Sequence, residues 1–598
     1  MRSSTITRLL IVACSMAVVT FLPGTAVMSN PTIANNTSPT PIRTVNVAEY
    51  GARPDVSDNT EPIRAALISA QSGAKPVVVR FAPGIYHCGS GPGKKPSRST
   101  KPSFDIAGLD SVTIDGGGAT IAGSDIAPLF RIRDSRNVSV RNLTIDWDPL
   151  PHMSGRVTRL LEPDHAFEMT PLVPARPISG RIVQGILGYN SQRHRLADNG
   201  WEVYQTQGER DANPTEILAN GEVRVFVKRE ARLPAVGDDV VVRHQVYGCD
   251  AFVFANCQNV SVDDVTVLAA PGMAIIGWGC RDIAIRRVKV VPGESGWMSV
   301  TADAMHFNAC RGSVTVEDCE FAGMGDDAIN IHSMYGLITG IAGDRKFEVA
   351  AARLHPYYDK ARSAWDAPAA GDTLEFGSGS EPLIAQGQVT VVTAQRDELA
   401  RRVILTLSAD DAHKVGPDTV LWNLSTAPSI NIARCYVHGN RARGMLLQSR
   451  HVLVQNCVFE DISGGGIHIC TDAADWWESL GSRDVTVRGC TFRRCNYGVA
   501  RRVAAVDVFS DLAGGQQSAA GVHKGVNIID NIFEGNTGAP IHLGSTDGAE
   551  IRGNRFDASK GPAIIVTNSR NVSITVDPAS SVDIRGSSDT ATIRVDHR

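Results

Sequence analysis

No sign of charge predominates in this chain: 59 lysines and arginines stand against 63 aspartates and glutamates, a net charge of -4 over 598 residues. No long single-sign run breaks the mixture, so bulk electrostatics offers no basic surface to nucleic acid. Beyond the N-terminus no segment reaches the roughly 18 uninterrupted apolar residues a membrane helix needs. No CxxC pair or Cys/His cluster has zinc spacing, and the 11 of 12 cysteines that follow Cys14 are odd in number, so neither a metal ribbon nor a disulfide framework is indicated. A 3.6-residue apolar period and a leucine-rich signature are missing as well, which excludes the helical and leucine-rich repeats.

Arg2 and Arg8 precede an apolar run from Leu9 to Phe21, followed by small and polar residues through Ser38. This reads as a secretory signal, with residues 1–38 the signal peptide and processed N-terminus and the mature protein exported and soluble. The "IVAC" ending at Cys14 resembles a lipoprotein box, but only Leu9–Ala13 precede it as an apolar segment, so membrane anchoring is not expected.

Internal repetition is the strongest signal present. "CQNVSVDDVTVL" from Cys257, "CRDIAIRRVKVV" from Cys280, "CRGSVTVEDCEF" from Cys310, "RHVLVQNCVFED" from Arg450 and "SRDVTVRGCTFR" from Ser482 share one plan. Each is a short alternating strand, a polar corner and another short strand. The first two begin 23 residues apart, and a period of this order with β-branched alternation indicates a solenoid of strands, an all-β parallel β-helix. Val260, Val262, Val265 and Val267 then face inward and stack on the next turn at about 4.8 Å. Cys257, Cys280, Cys310 and Cys457 occupy related positions, where a small apolar thiol packs well. The sequon asparagines Asn137, Asn259 and Asn571 fall at corners and read as turn residues.

Two stretches break the rhythm, residues 152–248 and 337–424, and carry runs such as "EVRVFVKRE", "GDDVVVRHQV" and "RRVILTLS". They are expected to be small antiparallel β domains inserted at solenoid corners. Coils then occupy residues 39–151, 249–336 and 425–598. The first of these opens with "VAEYGARPDVSDNTEPIRAALISA", a capped amphipathic helix that closes the end of the solenoid.

The carboxylates carry the chemistry. Aligning "TADAMHF" with "GDDAINI" sets Asp303 opposite Asp327 and His306 opposite Asn330, 24 residues apart, or one coil. Asp303 then joins the adjacent Asp326 and Asp327. Crowded carboxylates raise one another's pKa, so one can keep a proton as general acid while an ionised neighbour acts as general base. Such a pair is what glycoside hydrolysis requires. A calcium site and a solvated polar corner are the alternatives. His306, His332 and Asn330 lie in the adjoining rungs, and His468, Trp476 and Trp477 follow "GGGIHI"; all are candidate sugar contacts, the tryptophans as platforms for an apolar sugar face. Asp146, Trp147 and Asp148 in "TIDWDP" are candidate cleft residues.

The rungs, the "TAD" and "GDD" elements one coil apart and "GGGIHI" resemble polygalacturonases, although Thr301-Ala302 replaces their Asn and no Arg-Ile-Lys element is found. A closer resemblance, from "VAEYGARPDVSDNT" through "LTIDWDPLP" and "GMGDDAINIH" to the last rungs, is to the α-1,3-galactosidases of glycoside hydrolase family 110, which remove the blood group B galactose. That resemblance implies a right-handed parallel β-helix with two inserted β-barrel domains, an inverting mechanism and no organic cofactor. It also implies Asp326 as general acid, with Asp303 and Asp327 activating water. The implied partner is a glycan, with neither nucleic acid nor membrane. Hydrolysis of another galactoside or galacturonide, a calcium-dependent lyase and a non-catalytic β-helix binding protein remain as alternatives.

Overall fold

The computed structural model describes residues 42–598 apart from 91–98, 100, 174–181, 199, 206–214, 295, 352–366, 379–380, 382, 398–401, 475, 480, 499–501, 513–514 and 558–560. The signal-peptide reading of residues 1–38 lies outside the described residues.

Alternating strands coil into a parallel solenoid with three faces. One face runs from Arg43–Asn46 through Val77–Arg80 and the start of Asp110–Gly123 to Arg136–Trp147 and Gln258–Val267. It continues to Arg570–Val576 and Ile593–His597 at the C-terminal end, while the far ends of Asp110–Gly123, Arg136–Trp147 and Gln258–Val267 stack with Ile85–Cys88 as a second face. The third face stacks Phe252–Ala255, Ile275–Trp278, Met305–Asn308 and Ile329–Ile331 in strict register, then Met445–Leu447 and Ile467–Asp472. The period is set by what must face inward. Val260, Val262, Val265 and Val267 are buried and pair with Val138, Val140, Leu143 and Ile145 on the turn below. Phe459, Phe492 and Phe533 form a ring stack with 4.9 Å between neighbouring centroids. Burying each such ring stabilises the coil by about 1.5–3 kcal/mol.

All 11 described cysteines are buried and none forms a disulfide. At the corners the chain turns through left-handed residues: Asn137, Asn259 and Asn571 have φ of 54°, 54° and 57°. Asparagine enters that region more readily than most residues, and the Asn259 amide donates to Asn137 Oδ1 at 2.9 Å, so the corners also form a ladder. The helix Thr60–Ser69 buries Ile63, Ala66 and Leu67 against the first coil. Asp58 accepts from the N–H of Thr60 at its start, at 2.9 Å.

Both interruptions fold as antiparallel sheet with cores of their own. The second is a closed barrel. Ile329–Gly343 leaves the solenoid and pairs with Lys346–Ala351, and the ring continues through Arg402–Leu407, Gly387–Asp397, Thr373–Gly377 and Val420–Asn423 back to Ile329–Gly343. The first is a strongly curved run of antiparallel pairings around a core of its own. His152–Leu161 pairs with Ala166–Pro171 and Asp239–Arg243, and the sheet extends to Val223–Phe226 and Gly185–Asn190. Among the described residues no strand pairing joins its two edges, although Gln205, next to one edge, donates to the Phe226 carbonyl and accepts from the N–H of Lys228 at the other.

Candidate active site

The turn leading into the third face carries the acids. The N–H of Ala304 donates to the Asp327 carbonyl at 2.9 Å, which locks the 24-residue offset and stands Asp303 beside Asp327. Oxygens of Asp303, Asp326 and Asp327 lie within 4.8 Å of one another. The approach of the two turns depends on Gly325: a Cβ there would sit 2.2 Å from the Thr301 carbonyl oxygen.

Each acid has a different set of partners. Asp327 Oδ1 accepts from the N–H of Arg443 at 2.9 Å and Oδ2 from its guanidinium at 2.5 Å. Asp326 accepts from the Tyr247 hydroxyl at 2.5 Å and from Arg441 at 3.4 Å, while Arg441 is itself clamped by Glu202 at 2.7 and 2.8 Å. Asp303 accepts from the N–H of Asp327 at 3.2 Å and lies 2.8 Å from His306 Nδ1. Arg243 is fully buried, donates to the Thr301 carbonyl at 3.1 Å and packs on the Tyr204 ring.

These surroundings separate the three titrations. Burial, with the Asp326 charge added, lifts Asp303 well above the usual carboxylate range. Burial likewise pushes Asp327 up to about 7 against the opposing pull of Arg443. Asp326 resists its own burial because Arg441, Arg443, the Tyr247 hydroxyl and Arg243 together hold it below the ordinary value. Asp326 is therefore the first of the three to ionise, Asp327 keeps its proton only below about pH 7, and Asp303 is held protonated by its burial. This oxygen spacing could hold a cation, but the guanidiniums of Arg441 and Arg443 already occupy the charge-balancing positions and Tyr247 and His306 take further oxygens.

The acids open on a cavity of about 440 Å³. Of the residues singled out in the sequence, Asp303, Asp326, Asp327, His306, Asn330, His468 and Trp476 line it. His332 is buried behind His306, with their Nε2 atoms 2.9 Å apart. Trp477 packs edge-on against Tyr335 in a cluster with Val420 and Trp422. Asp146, Trp147 and Asp148 line a second cavity of about 1040 Å³. Asp146 and Trp147 pair with Ala122 and Gly123 on the second face, none of the three acids lines that cavity, and the buried Trp147 donates to the Asp125 carbonyl at 2.9 Å.

Sequence reasoning missed Tyr204 and Tyr247, which the first inserted sheet brings over the acids, as well as Arg441, Arg443, Asn308, Gln448 and Glu478. The inserted tyrosines leave no local trace. Arg443 was findable: removing the second insertion and continuing the rung alignment sets "RARGMLL" on "GDDAINI", with Arg443 against Asp327, and the N–H of Ala328 indeed donates to the Arg443 carbonyl at 3.1 Å.

Comparison with known proteins agrees with this architecture. The family described as "Right handed beta helix region" matches residues 423–505 and 478–577. α-1,3-Galactosidase A of Akkermansia muciniphila is 24% identical over 527 residues, covering 83% of this chain and 84% of that protein. α-1,3-Galactosidase B of Bacteroides thetaiotaomicron is 23% identical over 527 residues, covering 82% of each. An exopolygalacturonase from Thermotoga maritima overlays 93% of this chain and 92% of its own, at 12% identity and a TM-score of 0.43, a value from which nothing about chemistry follows. The chain is a right-handed parallel β-helix protein, related over about four fifths of its length to the α-1,3-galactosidases.

Proposed function

We propose that this protein is an exo-acting glycoside hydrolase, exported from the cell, that releases terminal α-1,3-linked D-galactose from branched blood-group-B-type glycans with inversion. The observation that carries the reading is the lining of the cavity beside the acids. Asn308 Nδ2 and Oδ1, Asn330 Oδ1, Gln448 Oε1, His468 Nε2 and Arg443 Nε are buried there without a hydrogen-bond partner among the described residues. Buried polar atoms are costly unless satisfied, and a ligand with hydroxyls in several directions satisfies donors and acceptors together. Burial holds His468 neutral, its pKa lowered to about 3, so it meets a hydroxyl and not a charge. Trp476, on the same wall, offers an apolar face. The names of the relatives supply the choice of galactose and of the linkage.

In this reading Asp326 protonates the departing oxygen while Asp303 and Asp327 activate water. Since Asp326 is the first of the three to ionise, a proton must cross to it from Asp303 or Asp327 before bond cleavage. That same distribution favours a second reading with the roles exchanged, Asp326 as base and Asp303 or Asp327 as acid. The test compares a natural α-1,3-galactoside with 4-nitrophenyl α-galactoside, whose leaving group needs no protonation. If Asp326 is the acid, D326N loses the natural substrate and keeps the nitrophenyl one; loss of both makes it the base. Full activity of D326N on the natural substrate ends both readings, and α-galactose as the first product seen by NMR contradicts inversion.

A further inference from the structure

A line of hydrogen bonds leaves the carboxylate cluster and enters the wall of the solenoid. Asp303 Oδ2 is 2.8 Å from His306 Nδ1, His306 Nε2 is 2.9 Å from His332 Nε2, and His332 Nδ1 is 2.9 Å from the Ser333 carbonyl oxygen. All three side chains are buried. His332 is not among the residues lining the cavity.

The far end fixes the count of protons. A carbonyl only accepts, so His332 Nδ1 carries a hydrogen. Two imidazole nitrogens at hydrogen-bond distance share one hydrogen between them, and so do the carboxylate and His306 Nδ1. The trio thus holds three hydrogens and no net charge, whether the mobile proton rests on Asp303, on His306 or on His332. These forms differ only in where protons sit along a line whose heavy atoms need not move.

The groups facing this line favour movement along it. Asp326 and Asp327 face Asp303 from the next turn and Arg443 from the turn after. At the other end Glu478 Oε1 lies 3.8 Å from His332 Nε2, and Gln448 holds the second Glu478 oxygen at 2.8 Å. A proton arriving at His332 therefore meets a carboxylate.

We propose that Asp303, His306 and His332 form a closed proton relay: a proton leaves Asp303 for His306 Nδ1 as the hydrogen on His306 Nε2 passes to His332 Nε2 beside Glu478. Asp303 then changes between acid and base forms without exchanging protons with solvent. The kinetic consequence rests on the glycosidase reading. Asp303, once its proton has moved into the wall, can take a proton from the attacking water; one proton then passes from the trio to Asp326, which has given its own to the departing oxygen, and the trio returns to three hydrogens. His332 is a positioning residue in this scheme, acting through His306.

Two measurements test the relay, and the first needs no substrate. In the full chain labelled with ¹⁵N-histidine, the ring nitrogens of His306 and His332 should shift together with one apparent midpoint as pH is raised, and D303N should abolish that transition at His332. A His332 response that is the same in D303N as in the wild type overturns the relay. The second measurement is kinetic. H332Q keeps a hydrogen-bonding group beside His306 but cannot carry a proton; kcat on an α-1,3-galactoside should fall roughly 10–100-fold with KM within about threefold. An unchanged kcat and pH profile overturns the relay. A wild type inactive on every galactoside counts against the substrate reading alone, and the NMR titration then decides the relay by itself.

Discussion

The D327N variant should become more stable relative to the wild type as pH rises. Asp327 ionises near 3.8 in an unfolded chain and near 7 in the folded one, because burial opposes its charge. Between those values the unfolded chain has released a proton that the folded chain retains. Folding there takes up a proton, so wild-type stability falls with rising pH until about 7, and the fall is then complete. Some three pH units at about 1.4 kcal/mol each set a ceiling of about 4 kcal/mol. For a chain of this length, with an unfolding entropy on the order of 1.2 kcal/mol per kelvin, that corresponds to about 3–4 °C in Tm. Below pH 4 neither protein has a charge at this position, so the lost contact with Arg443 contributes equally to both ends of the comparison. The assay is the difference in Tm between D327N and the wild type at pH 4, 6 and 8. A difference that does not change across this range refutes the assignment of a retained proton to Asp327.

G325A forces a Cβ to within 2.2 Å of the Thr301 carbonyl and should cost about 1–3 kcal/mol of stability, read by urea unfolding, with loss of turnover as the two acid-bearing turns move apart. F492A removes the middle of the ring stack with Phe459 and Phe533 and should destabilise the C-terminal coils by about 3–5 kcal/mol, read as a lower urea midpoint. Activity on an α-galactoside should be the same with and without a chelator, since Arg441 and Arg443 balance the acids; loss of activity on chelation, restored by calcium, would return the cluster to a metal site.

The solenoid was legible in the sequence because its determinants repeat. Inward valines, a small cysteine and a left-handed asparagine recur at each turn, so errors in reading one rung are corrected by the next. The same arithmetic placed Asp303 beside Asp327, since a one-coil offset is a statement about register and needs no knowledge of side-chain contacts. The partners of the acids belong to another class. Tyr247 and Tyr204 reach the cavity from a sheet inserted between rungs, and their sequence neighbourhood records only the alternation of that sheet. Trp147 shows the converse. Its motif is distinctive, yet the coil places it on the second face, where the indole is consumed by packing and a backbone hydrogen bond.

Charge follows from this division. Three carboxylates read from sequence alone are equivalent, and the order in which they ionise depends on which of them the arginines and Tyr247 reach. Asp326 receives that help from Arg441, Arg443, Arg243 and the inserted Tyr247, and Asp303 receives His306 in its place. The rungs therefore determine that the acids meet, while the insertion and the turn after it determine which acid holds the proton. A relative with the same "TAD" and "GDD" elements but without the tyrosine and arginines should keep the fold and lose the separation of the three titrations. Y247F isolates one part of that claim: losing the hydroxyl should raise the pKa of Asp326 and move the acidic limb of the kcat/KM profile to higher pH. An unmoved limb would show that the arginines alone set the order.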